Sequence, residues 1–176
     1  MQFSHPLMHS NFTKADISSV IKLLKKKKII LTQSKYVKKF EKEWSKWLGV
    51  KYSVFVNSGS SANLLTITIA KILKGNGEII VPTLTWVSDI SSVLQNNLKP
   101  VFVDINPKNL CMSEQDVISR INKKTIAVFL SHIQGFNGLS SNILKFLKKR
   151  KIMLIEDVCE SHGATFKNMK LGTFGK

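Results

Sequence analysis

The stretch Glu78–Ile105, "EIIVPTLTWVSDISSVLQNNLKPVFVDI", decides how the chain is read. "EIIVP" is a short apolar run, too short for a helix, and reads as a strand. "WVSDISSVLQNN" places Trp86, Ile90 and Val93 at helical spacing and closes on polar residues, as an ending helix does. "PVFVDI" is again a short apolar strand. Strand, helix, strand is the βαβ unit, whose strands run parallel.

The same alternation extends in both directions. Upstream, "SVFVNS" (53–58) reads as a strand and "SANLLTITIAKIL" (61–73) as a helix ending near Gly75. Downstream, "SEQDVISRI" (113–121) is a helix with Ser113 as its N-cap, and "TIAVFLS" (125–131) is a strand. "SSNILKFLKK" (140–149) is a helix and "IMLIED" (152–157) a fifth strand. Such a series forms a largely parallel sheet with helices on its faces, an α/β fold. Two helical patterns precede it. Ile17, Val20, Ile21 and Leu24 share a face within Ala15–Lys28, and Val37, Phe40, Trp44, Trp47 and Leu48 share another, stopped by Gly49. The aromatic stripe of the second is expected in a core.

A length of 176 residues with 43% hydrophobic residues suits one domain with a sizeable core. The start has no apolar signal region, and no run approaches the ~20 apolar residues of a membrane-spanning helix. Cys111 and Cys159 match no metal-ligand spacing, and a reduced cytoplasmic setting is expected. The net charge of +16 raises the question of a nucleic-acid partner. It is carried almost wholly by Lys, with Arg120 and Arg150 the only residues suited to forked phosphate recognition, and much of it falls on helix faces. No nucleic acid and no membrane is therefore the expectation.

In parallel sheets, function gathers where strands end and helices begin. After the first strand, "NSGSSAN" offers Gly59 for close approach, the hydroxyls of Ser60 and Ser61, and the unpaired amides of a helix start. That is an anion seat, most naturally for a phosphate, or else a plain Ser-rich helix cap. The segment matches neither a Walker A loop nor a dinucleotide fingerprint. After the second strand, Trp86 could stack on a flat ring or pack in a core. At the end of the fifth strand, Asp157 closes an apolar run and needs a cationic partner or good donors, unless it is a helix cap. A protonated pyridine nitrogen is one such partner. Glu160 and His162 lie just beyond, and His132 ends the fourth strand, where a hydrogen-bonded structural histidine is expected ahead of a catalytic one. A phosphate seat, an aromatic plate and a buried acid together suit a phosphorylated aromatic cofactor.

"VNSGSSANLL", "IIVPTLTWVSDISSVLQNNLKPVFVDI" and "LIEDVCESHGATFKNMKLGTFG", preceded by "FEKEWSKWLGVKYSVFVNSG", resemble the DegT/DnrJ/StrS family over roughly Ile30–Gly175. The resemblance implies the aspartate-aminotransferase-type fold (PLP fold type I), with 1–176 as the N-terminal part of its PLP-binding large domain and no small C-terminal domain. It implies a PLP- or PMP-dependent aminotransferase of a nucleotide-linked keto sugar, serving cell-surface polysaccharide or related sugar biosynthesis. The partners implied are the nucleotide sugar, an amino donor and a second copy in a homodimer. Ser60 and Ser61 then hold the cofactor phosphate, Trp86 stacks on the ring, Asp157 pairs with the ring nitrogen, and Glu160 lies near the ring hydroxyl.

The family's Schiff-base lysine follows the "GTFG" segment after a further strand, so it is expected beyond Lys176, and the chain is expected to be an N-terminal fragment. A His in the lysine's place marks the family's PMP-dependent keto-sugar dehydratases, and the wording around Cys159 resembles that branch. A non-catalytic remnant of the fold is the remaining alternative.

Overall fold

The computed structural model describes residues 10–175. It divides into a small unit up to Phe40 and a larger one from Glu41 onward. In the small unit, α1 (Lys14–Leu24) starts on a reciprocal cap: the Asp16 amide donates to the Thr13 hydroxyl oxygen, and the Thr13 amide donates to the Asp16 carboxylate. The helix stops at Leu24, short of the expected Lys28. Its apolar face, Ile17 to Leu24, is exposed. Helix α2 (Lys35–Leu48) runs across the division and ends at Gly49, whose φ of 89° is the left-handed geometry of a helix stop.

The larger unit holds α3 (Gly59–Lys74), β1 (Glu78–Pro82), α4 (Val87–Gln95), β2 (Lys99–Val103), α5 (Glu114–Arg120), β3 (Thr125–Ser131), a 3-10 turn (Ile133–Gly135), α6 (Ser141–Arg150) and β4 (Met153–Asp157). A two-stranded hairpin, β5 (Thr165–Phe166) and β6 (Met169–Lys170), follows. The main sheet has the order β2-β1-β3-β4, and every pairing in it is parallel. β1 is therefore central, flanked by the strand that follows it and by one that arrives after a further helix.

Alternation along the strands sorts side chains between two cores. Ile79 and Val81 of β1 join Ala127 and Phe129 of β3 and Ile155 of β4 beneath Ile67 and Ala70 of α3 and Val93 of α4. Ile80, Val128, Leu130 and Leu154 face the other way, onto Val117 of α5 and Ile143 and Leu147 of α6. Helix, sheet and helix form three layers, and all four main strands end on one rim.

Two expectations fail. The segment 53–58 forms no strand, and Val54 is 78% exposed. A strand exists only where its amides and carbonyls find a ladder, and no described strand lies beside this segment. The Phe55 amide bonds instead to Glu41 Oε1 at 2.9 Å. The aromatic stripe of α2 is not core either, since none of its residues is buried. Within the larger unit, Trp44 lies 4.9 Å from Trp47 and edge-on to His162 at 5.2 Å between ring centroids.

Candidate functional site

At the rim where the strands end, a cleft of about 1020 Å³ opens between the start of α3, the loop into α4 and the segment after β4. Its walls include Ser60, Asn63, Trp86, Ser131, Asp157 and Glu160.

The α3 corner is built by capping. The Ser61 amide donates to Ser58 Oγ at 3.2 Å, and the Ala62 amide goes to the Ser58 carbonyl. This satisfies the later amides of the first turn and leaves those of Gly59 and Ser60 as the open, partly positive end of the helix. Ser60 borders the cleft. Ser61 does not: its hydroxyl lies 3.2 Å from that of Ser58, inside the cap. The two serines, equivalent in sequence, are separated by a helical step of about 100°.

Trp86 precedes α4 as its N-cap residue and makes no side-chain cap bond there. It lines the cleft and is 72% exposed. A core tryptophan would be covered, so this ring is a plate facing open space.

Asp157 ends β4. Its Oδ1 accepts the Cys159 amide at 2.8 Å, and its carbonyl accepts the His132 amide at 3.0 Å. The strand end is thereby pinned, and the Asp157 carboxyl also lies within hydrogen-bond reach of that of Asp89. Glu160 Oε2 accepts the Gln134 amide at 2.7 Å. That bond steadies the turn after β3, where Gln134 takes a left-handed φ of 49°. Burial, then the charges of Asp157, Glu160 and Asp89, push the Cys159 thiol up.

His132 and Glu156 lie under the rim. The Gly138 amide donates to His132 Nδ1 at 3.1 Å, so the ring proton sits on Nε2, 3.3 Å from Glu156 Oε2. Glu156 also accepts the amides of Gly172, Phe174 and Gly175 at 2.9, 2.7 and 2.6 Å. Burial raises its pKa, but His132 and the amides outweigh that and hold the carboxyl below its ordinary value. His132 is thus structural, and His162 packs on Trp44.

Asp89 was not singled out in the sequence, yet it is fully buried on α4 beside Asp157. It accepts Asn63 Nδ2 at 2.7 Å, the Ser131 hydroxyl at 2.8 Å, and the Thr85 hydroxyl. Burial first, with the Asp157 charge adding and the hydroxyls opposing, pushes its carboxyl up to about 6. The available signal was a carboxylate on the same helical face as Trp86, Ile90 and Val93. Among the described residues no basic side chain hydrogen-bonds to Asp89 or Asp157, and no cluster of metal-ligating side chains occurs.

Comparison with known proteins identifies the family and the fold. GDP-4-keto-6-deoxy-D-mannose 3-dehydratase of Escherichia coli O55:H7 is 35% identical over 98% of this chain and 45% of its own length. GDP-perosamine synthase of Vibrio cholerae is 35% identical over 83% of this chain and 40% of its own. The solved E. coli 3-dehydratase with bound hydrated PLP superposes with a TM-score of 0.90 at 33% identity, covering 99% of this chain and 46% of that one. The Helicobacter pylori aminotransferase PseC, involved in the biosynthesis of pseudoaminic acid, gives 0.81 at 26% identity over 93% and 44%. The chain spans less than half the length of these relatives, and its architecture is the aspartate-aminotransferase-type α/β fold, PLP fold type I. The family model for the DegT/DnrJ/EryC1/StrS aminotransferase family matches residues 11–176, and the chain belongs to that family.

Proposed function

We propose that this chain forms the PLP- or PMP-binding part of an enzyme acting on a nucleotide-linked keto sugar. The observation that carries the reading is the meeting, in one cleft, of an open helix start, an exposed aromatic plate and the Asp157 carboxyl, backed by the buried Asp89. The residues fit the cofactor on physical grounds. A phosphate needs donors with partial positive charge, which the Gly59 and Ser60 amides and the Ser60 hydroxyl supply. A flat ring needs a stacking surface, which Trp86 supplies. A ring cation needs a carboxylate, and Asp157 supplies one at the cleft wall.

When bound there, the cofactor supplies an electron sink for breaking a bond next to an amine-bearing carbon. The chain's own residues hold and orient it. Asp157 would accept the ring N–H and keep that nitrogen protonated. Trp86 would stack on the ring and shield it from water. Glu160, whose Oε2 is held by the Gln134 amide, would lie near the ring hydroxyl. Ser61 supports the phosphate seat by completing the cap rather than by reaching into the cleft.

Amino transfer to the keto sugar, with an amino acid as donor, is the principal reading, in a homodimer. Dehydration of the sugar is the second reading. It is favoured by the 3-dehydratase fit, at a TM-score of 0.90 against 0.81 for PseC.

PMP, which binds without a covalent link, tests the reading. Titration followed by cofactor absorbance is expected to saturate. Trp86→Ala should weaken binding by about tenfold, the size of a lost stacking contact of roughly 1.4 kcal/mol. No saturable binding to the unaltered protein would overturn the proposal. Incubating the loaded protein with a GDP-linked 4-keto sugar and glutamate separates the two readings: an amino sugar marks transfer, and a 3-deoxy sugar marks dehydration.

A further inference from the structure

Three oxygens form a closed triangle beneath the cleft. The Thr85 hydroxyl contacts Asp89 Oδ2, the Ser131 hydroxyl lies 2.8 Å from the same oxygen, and the two hydroxyls lie 2.7 Å from each other. The two Ser131 contacts are of hydrogen-bond length and the Thr85–Asp89 contact is closer still, so each needs a proton between its oxygens. Thr85 and Ser131 have one hydroxyl proton each. If both point at an ionised Asp89, the Thr85–Ser131 contact sets lone pair against lone pair. One further proton, on Asp89 Oδ2, closes the ring. Asp89 then donates to Thr85, Thr85 to Ser131, and Ser131 back to Asp89. Asp89 Oδ1 remains an acceptor and takes the Asn63 amide proton at 2.7 Å.

The surroundings favour the same assignment. Asp89 is fully buried, whereas Asp157 borders the cleft and accepts the Cys159 amide. Ionising both would set like charges together, and of the two the buried one is the poorer place for a charge. The groups packed around Asp89 offer no cation. α3 contributes neutral Asn63, the loop before α4 contributes Thr85, and β3 contributes Ser131. His132, next along from Ser131, is turned to Glu156. The remaining titratable neighbours are Asp157 and Cys159.

We infer that Asp89 is a positioning residue that is neutral in the cofactor-free protein at mildly acid pH: its carboxylic proton closes the triangle with Thr85 and Ser131 and leaves Asp157 as the carboxylate that first meets the cofactor ring. The inference rests on the cofactor reading above for its role, but not for the place of the proton. Asp89 does not line the cleft. It acts through Asp157, by setting the charge beneath the ring, and it braces α3, α4 and the end of β3 around one atom group.

Carbon-13 NMR of protein labelled at the aspartate carboxyls tests this directly, from pH 4 to pH 8.5. One aspartate is expected to titrate near 6, above the ordinary value of 3.8. Asp89→Asn, whose amide can mimic the neutral acid, should delete that resonance. Asp157→Asn should move its midpoint down by removing the like charge, and this identifies the resonance even if Asp89→Asn fails to fold. Saturating PMP should also lower the midpoint, by about half a pH unit or more, because a ring cation favours the ionised acid.

Titration of every aspartate in the ordinary range would overturn the placement of the proton. A midpoint unmoved by saturating PMP would overturn the positioning role. Failure of PMP to bind at all would instead defeat the cofactor reading, since the first titration is read on the protein alone.

Discussion

Glu156 and Asp89 are carboxyl groups buried at the same rim, and they are driven in opposite directions. Glu156 receives donors that bring their own protons: the Gly172, Phe174 and Gly175 amides and His132 Nε2. Those protons have no competing acceptor close by, so the carboxyl stays charged despite burial, and its pKa is lowered. Asp89 receives hydroxyls that also contact each other, one amide, and a like charge from Asp157. It comes out raised, to about 6. Burial does not decide the charge of an acid. The number of unshared protons aimed at it does.

The contrast breaks most visibly at Glu156. Glu156→Ala strands His132 and the amides together. Urea unfolding is expected to show a loss of about 3–5 kcal/mol, the range for removing one side of a buried charged network. Hydrogen exchange at Gly172, Phe174 and Gly175 should accelerate in the same variant.

The pH dependence of stability sharpens the contrast, because the signs differ. Glu156 has a folded pKa below its unfolded one. Its contribution is present above the ordinary value of 4.5 and is lost as pH falls through the folded pKa. Asp89 has a folded pKa above its unfolded one. Its contribution is present below 3.8 and is lost as pH rises through about 6. Relative to the parent, Asp89→Asn should therefore gain about 1–3 kcal/mol between pH 4 and pH 7.5, as one pKa unit is worth about 1.4 kcal/mol. Glu156→Gln should lose its disadvantage as pH falls from 5 to 3. Chemical denaturation at stepped pH reads both.

Ser131→Ala opens the triangle and should cost about 1–2 kcal/mol at pH 5, as for a buried hydrogen bond. Its cost should grow at pH 8, where Asp89 is ionised and the lost Ser131 hydroxyl is one that favours the charged form. Ser58→Ala removes a neutral cap whose proton balance is simple. It should cost about 1 kcal/mol at every pH, providing a pH-independent reference on thermal unfolding.

What the sequence made legible follows from the same physics. The strands β1 to β4 and helices α3 to α6 stand where alternation and apolar runs put them, because burial on both faces of a parallel sheet leaves a strong pattern. The segment 53–58 carries the same pattern without a ladder partner, and pattern alone cannot report that. The β5–β6 hairpin has no glycine to announce it. Lys167 and Asn168 take left-handed φ values of 50° and 62°, a turn geometry for which Lys is a poor signal. Ser60, Trp86, Asp157 and Glu160 meet in the cleft, whereas Ser61 turns into its own cap. Asp89 was missed because one acid within a helical stretch looks like a solvated surface residue. Its partners, Asn63, Thr85 and Ser131, come together only after folding.

The strand order has a consequence for assembly in time. β1 can pair with β2 through a local crossover, but its other neighbour, β3, lies beyond another helix, and β4 must then add to β3. Parallel pairing across such separations is slow, because loop closure precedes any gain. A chain emerging from the ribosome therefore holds the α3 corner and Trp86 well before Asp157 exists to oppose them. The acid pair forms only once β4 has joined β3, so it reports that the four-stranded sheet has closed.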